Sequence, residues 1–257
     1  MSNLETFLWV AFPWLSFAVF IIGTVWRWHY DQFGWTTKSS QIYESKLLRL
    51  SSPVFHYGML GVIAGHVVGL AIPKSWTLTL GISQHAYHFL AAYIGSLFGL
   101  AAVIGLIGLL YRRFVVRTVH LATTIGDKIM YLLLSIAIVL GFYATVSTQI
   151  FGTAEGYDYR ETISPWLRSV FAFQPQPELM ADVPLAFKLH IIAGLMLIIA
   201  WPFTRLVHVF SAPVGYSTRP YVVYRSRSAT MEDHRRKGWE PVHTRPTEAQ
   251  QARSYGA

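Results

Sequence analysis

The sequence predicts an all-α integral membrane protein, five transmembrane helices forming a bundle. Three observations predict it. Charged residues make up 13% of the 257 residues and hydrophobic ones 53%, and that charged share is about half the usual one for a soluble domain. The charges are clustered, so that long stretches carry none. The basic residues also alternate from link to link, as they do in multi-pass proteins.

The first four spans lie in charge-free gaps at 6–26, 50–73, 75–111 and 129–154. Each has the length of about 20 mainly apolar residues that a crossing helix needs. A fifth apolar stretch runs over 183–210, with a shorter charge-free core at 189–204 flanked by Lys188 and Arg205. Long basic side chains can reach back to the interface from such positions. The first stretch has no basic region before it and no small-residue cleavage site before Arg27, so it reads as a retained helix.

There is no cysteine. That excludes disulfides, thiolate-bound haem, covalently attached haem and cysteine-bound iron–sulfur clusters within this chain. The net charge of +8 belongs to topology, and nucleic acid is not expected as a partner. Of 21 Lys and Arg, 17 fall in three groups: 27–49, 112–128 and 205–253. Five spans put these groups on one side. The other side holds Lys74, Arg160, Arg168 and Lys188 with several acidic residues. The positive-inside rule then places the N-terminus outside and the C-terminus in the cytoplasm of a cell-membrane protein. The long outer link, 150–182, is rich in Pro and aromatic residues and is expected to cap the outer face. Trp9, Trp14, Trp26, Trp28 and Trp35 suit an aromatic belt. Residues 1–227 read as the membrane domain and 228–257 as a polar cytoplasmic extension.

Four of the ten histidines lie within the spans: His56, His66, His190 and His208. Ionisable side chains at membrane depth are costly and usually functional, and neutral imidazole is an axial ligand for haem iron. Span two runs outward, so His56 is inner and His66 outer. Span five runs inward, so His190 is outer and His208 inner. Two pairs at matching depth follow, His66 with His190 and His56 with His208, each able to hold one b-type haem. The rises do not match: ten helical residues rise about 15 Å and eighteen about 27 Å. A kink at Pro202, helix tilt or tilted haem planes would have to absorb the difference. Gly58, Gly61, Gly65 and Gly69 on span two and Gly194 on span five suit either a flat macrocycle or ordinary close helix packing.

These residues resemble a known family. Phe55-His56-Tyr57-Gly58 and Gly65-His66-Val67-Val68-Gly69 are similar to the second helix of the respiratory nitrate reductase gamma subunit. Phe187-Lys188-Leu189-His190 and Pro202-Phe203-Thr204-Arg205-Leu206-Val207-His208 resemble its fifth. Ala212-Pro213-Val214-Gly215-Tyr216, with Arg219 and Tyr221, resembles the chain that follows, and Arg117 through Thr123-Thr124-Ile125-Gly126-Asp127 resembles its inner link. The resemblance implies a distal haem b on His66 and His190 and a proximal haem b on His56 and His208. It implies oxidation of a quinol (menaquinol or ubiquinol) beside the distal haem. It also implies electron transfer inward to an iron–sulfur beta subunit and a molybdenum-containing alpha subunit that reduces nitrate. The chain departs from the family at the start of the third helix. There Gly81-Ile82-Ser83-Gln84-His85-Ala86-Tyr87-His88 replaces a stretch with a quinol-binding lysine, and His85 falls nearest that position. The expected quinol site is therefore Gly65, His66 and His85, with His88 as a rival. An imidazole there can accept a quinol proton. Arg112, Arg113 and Arg205 are candidates to neutralise propionates of the inner haem, although membrane topology alone also accounts for them.

Other functions remain open from sequence. A haem b subunit of another quinone-linked complex, for example a sulfur-reducing one, would look alike. A proton-coupled transporter relaying protons through its histidines, or a passive membrane anchor, would bind no haem.

Overall fold

The computed structural model describes residues 2–36, 39–152, 157–211 and 218. The extension at 228–257 and the motif around 213–216 lie outside them. Five helices are long and apolar enough to cross a membrane: α1 (Asn3–Tyr30), α2 (Lys46–Ala71), α3 (Gln84–Val115), α4 (Ile125–Ile150) and α5 (Leu185–Phe203). All five expected spans are therefore present.

The helix ends are closed by identifiable side chains. Ser2 and Glu5 form a reciprocal capping box at the start of α1, and Thr124 and Asp127 form another at the start of α4. Glu44 accepts from the Leu47 N–H at 2.7 Å ahead of α2, and Arg112 of α3 bonds its carboxylate and its carbonyl, each at 2.6 Å. Burial pushes the Glu44 carboxyl up, but these hydrogen bonds outweigh it and hold the group below the usual carboxylate range.

Apolar burial does not drive helices together in lipid, so close backbone approach must contribute. The contact between α2 and α3 is of this kind. A Cβ added at Gly58 would lie 2.5 Å from the Ala102 nitrogen, and one at Gly105 would strike the Phe55 backbone. Gly58→Val is expected to force these helices apart and to cost about 1–3 kcal/mol, seen as a lower thermal midpoint in detergent. A second core joins α3, α4 and α5 through Leu106, Met130, Tyr131, Leu134, Ala137, Ala193 and Leu197.

The long link forms a cap, as expected. Its helix, Ile163–Phe171, packs Trp166 and Val170 against Trp9 of α1 and against Met180 and Val183. The cap also serves backbone groups that the helices leave unpaired. Ser164 donates to the Gly69 carbonyl at 2.8 Å and Arg168 to the Leu70 carbonyl at 2.9 Å, both at the end of α2. Pro13 has no N–H for the Trp9 carbonyl four residues back, and the Trp166 indole donates there at 2.9 Å.

One expectation is corrected. The fifth apolar stretch is not a single helix to about Phe210. Its α-helical part is Leu185–Ala200, a 3-10 turn follows at Trp201–Phe203, Thr204 is extended, and a second 3-10 segment covers Arg205–Ser211. Pro202 removes a donor at the bend. Arg27 of α1, 5% exposed, satisfies the carbonyls exposed there, donating to Pro202 O at 2.6 Å and Thr204 O at 2.8 Å.

Candidate functional site

The four membrane histidines meet as two pairs. The ring centres of His66 and His190 are 6.0 Å apart, and those of His56 and His208 are 6.2 Å apart. The first pair lies toward the cap and the second toward the opposite end. The α-helix that carries His190 ends at Ala200 and His208 stands on a separate 3-10 segment past the Pro202 bend, so the rise of one straight eighteen-residue helix does not apply.

Every ring is oriented through the same nitrogen. Nδ1 faces a backbone carbonyl in each case: Ser52 O at 2.7 Å for His56, Val62 O at 2.8 Å for His66, Ala137 O at 2.9 Å for His190 and Arg205 O at 2.6 Å for His208. A carbonyl only accepts, so Nδ1 must carry the proton. The lone pair is then on Nε2, and the carbonyl bond fixes both tautomer and ring orientation, as at metal-ligating histidines generally.

The donor set identifies the kind of centre. Two imidazoles with nitrogens about 2 Å from one metal hold their ring centres roughly 6 Å apart. Among the described residues no group of three or more His, Asp or Glu converges. Two axial imidazoles alone suit a metal that brings its own in-plane ligands, and a porphyrin does so. The glycines divide between the two uses expected of them. Cβ atoms at Gly58, Gly61 and Gly69 would meet α3 or Tyr159, which is close packing. Gly65 beside His66, Gly95 on α3 and Gly194 one turn past His190 have no atom within 4 Å of such a Cβ. That open flank is what a flat macrocycle needs, and the residues present fit haem.

Several supporting residues were not evident from sequence. Gly141 lets the His190 ring lie against α4; a Cβ there would be 2.7 Å from the imidazole Cε1. Gly141→Val should tilt that ring away from Ala137 and markedly lower occupancy of the cap-end centre while sparing the other, read as haem per polypeptide. Asp127, 4% exposed, bonds Arg205 through Nε at 2.9 Å and Nη2 at 2.5 Å, and so steadies the turn that carries His208. Arg160 is 3% exposed and lies 3.9 Å over the Tyr87 ring, with Nε and Nη1 unbonded.

The arginine candidates also separate. Arg112 is committed to Ser40 and Glu44, and Arg205 bonds Asp127. Arg113 is buried with its Nε unbonded and its guanidinium 5.6 Å over Tyr131. At the cap end His85 is exposed on the first turn of α3, with no hydrogen bond or ring contact linking it to His66. His88 is half-buried, with its Nε2 enclosed and unbonded.

A helical fold with five membrane-crossing lengths defines the class: a multi-pass membrane protein whose second and fifth apolar stretches bring two histidine pairs face to face. The nitrate reductase gamma subunit family model matches residues 5–227, and the chain belongs to that family. It is 50% identical to the nitrate reductase-like protein NarX of Mycobacterium tuberculosis strain H37Rv over 90% of this chain, but it spans only 35% of that longer relative. It is 45% identical to the nitrate reductase gamma chain of Bacillus subtilis strain 168, covering 86% of this chain and 98% of that one. It is 33% identical to the respiratory nitrate reductase 1 gamma chain of Escherichia coli K12, covering 88% and 100%.

Proposed function

We propose that this chain is the di-haem cytochrome b subunit of a respiratory nitrate reductase, oxidising quinol at the outer, capped end. The observation that carries the reading is the pair of 6 Å imidazole gaps with both nitrogens of every ring assigned. His66 and His190 would hold the distal haem, His56 and His208 the proximal one. Bound haem supplies one-electron iron chemistry across an apolar interior that the protein itself cannot conduct through. The chain's own part is to fix the four rings through their carbonyl bonds and to leave Gly65 and Gly194 small.

Quinol, as menaquinol or ubiquinol, would bind beside Gly65 and His66, with His85 or His88 taking its proton. Electrons would leave at the cytoplasmic end to an iron–sulfur beta subunit and a molybdenum-containing alpha subunit. With the N-terminus outside, protons released at the cap and electrons moving inward together make the process electrogenic. The transporter alternative has less support. A relay wants a continuous row of imidazoles, whereas these four stand as separate pairs, each anchored on a carbonyl.

The test is a reduced-minus-oxidised spectrum of the purified protein with a pyridine haemochrome count, followed by hydroquinone-driven nitrate reduction in the assembled complex. Two b-type haems per chain are expected. A colourless protein would sink the proposal.

A further inference from the structure

The cap end contains a polar cavity not used above. Its lining includes Gln84 and His88 from α3, Gln149 from α4, and Tyr157, Asp158 and Tyr159 from the cap, and its volume is ≈ 10 Å³. That is about the smallest space that holds one water molecule. Two of its groups are enclosed without partners, Gln84 Oε1 and His88 Nε2. An unpaired buried polar atom costs about 1–3 kcal/mol, so a water bridging the two would satisfy both.

The surroundings lead from this cavity to the surface. Gln84 Nε2 donates to Asp158 Oδ2 at 2.8 Å, and Lys74 Nζ joins that same oxygen at 2.8 Å to Glu161 at 2.6 Å. The Glu161 side chain is 61% exposed. The remaining titratable groups facing His88 are hydroxyls. Tyr87 and Tyr159 share a hydrogen bond of 3.1 Å, and Tyr157 bonds Thr162 at 2.5 Å. Burial pushes the Tyr157 and Tyr159 hydroxyls up, so both keep their protons. Arg160 stands over Tyr87 and repels a stored positive charge from its side. An imidazole can take a proton at one nitrogen and give one up at the other. His88 brings the imidazole to this lining, which suits it to relay protons into the cavity.

We propose that His88, with a water held between its Nε2 and Gln84 Oε1, is the exit for protons released by hydroquinone, leaving past Asp158 and Glu161. This rests on the quinol reading above. For each hydroquinone two O–H bonds break, and two electrons leave singly to a one-electron ferric acceptor. The first proton enters at His88 Nδ1 while the Nε2 proton passes to the water and on to the outer surface. For the second proton the ring rotates, gives its Nδ1 proton to the water and takes the next at Nε2, so two protons leave per hydroquinone and the starting tautomer returns. His88 is the proton carrier, and Gln84 positions the water.

The experiment uses the complete complex and follows the haem absorbance after mixing with a water-soluble hydroquinone analogue, across pH. His88→Gln should slow reduction roughly 10²-fold at neutral pH, the worth of a positioned proton acceptor. Haem content and the dithionite-reduced spectrum should be unchanged. The loss should shrink as pH rises and on adding imidazole, neither of which a merely structural defect would produce. Gln84→Leu should give a smaller loss with the same pH trend, and it carries the test if His88→Gln fails to retain haem. A wild-type rate in both variants at every pH would overturn the exit. So would a pH-independent loss that imidazole does not relieve. If the unaltered complex is not reduced by hydroquinone at all, the quinol reading itself fails, and that outcome is distinct from either.

Discussion

Replacing His66 by alanine is expected to leave a protein with one haem in place of two. The surviving centre should be that of His56 and His208, whose ring contacts and carbonyl bonds do not involve His66. His190→Ala should give the same count, if each haem takes both rings of its pair as proposed. Quinol-driven reduction of the remaining haem should fall by orders of magnitude, while dithionite should still reduce it. A pyridine haemochrome assay beside the difference spectrum reads both results. A count of two in either variant would contradict the assignment.

Asp127→Leu is expected to be the most destabilising substitution at the opposite end. The carboxylate is buried, accepts from Arg205 and closes the capping box by accepting from the Thr124 N–H. Removing it breaks the buried Asp127–Arg205 pair, a change that costs about 3–5 kcal/mol. Arg205 also supplies the carbonyl that orients His208, so the haem of that pair should be lost first and the thermal midpoint should fall. The double variant Asp127→Leu/Arg205→Met should recover much of the stability, because a buried ion pair can be exchanged for apolar side chains at little net cost. If the double variant is no better than the single one, the pair is not what holds this turn.

The spans and the pairing were legible in the sequence for a simple reason. Charge-free runs report length, and span direction alone orders His56, His66, His190 and His208 by depth. The cap was legible as a long Pro- and aromatic-rich link between apolar runs. The break after Pro202 was not, because proline is tolerated within many membrane helices and its effect depends on what meets the freed carbonyls. Here Arg27 meets them from 175 residues away, and nothing local announces that contact. Gly141 was equally hidden. It is one more glycine in an apolar helix until His190 is seen lying on it. Asp127 did leave a trace, as the last residue of the inner-link motif Thr123-Thr124-Ile125-Gly126-Asp127. The difference in burial between His85 and His88 was not legible, since both sit on the first two turns of one helix and differ in what surrounds them.

The guanidinium of Arg27 has a consequence for biogenesis. His208, the last of the four paired histidines to leave the ribosome, lies beyond a bend whose carbonyls are held from the first helix to be made. The earlier ligands can be in the bilayer and still form only three-quarters of the set until that helix has docked. If the pairs hold haem as proposed, insertion at the His56–His208 end should therefore report whether the first and fifth spans have found one another. Polypeptides lacking the first span should retain all four imidazoles and yet mature with that porphyrin missing.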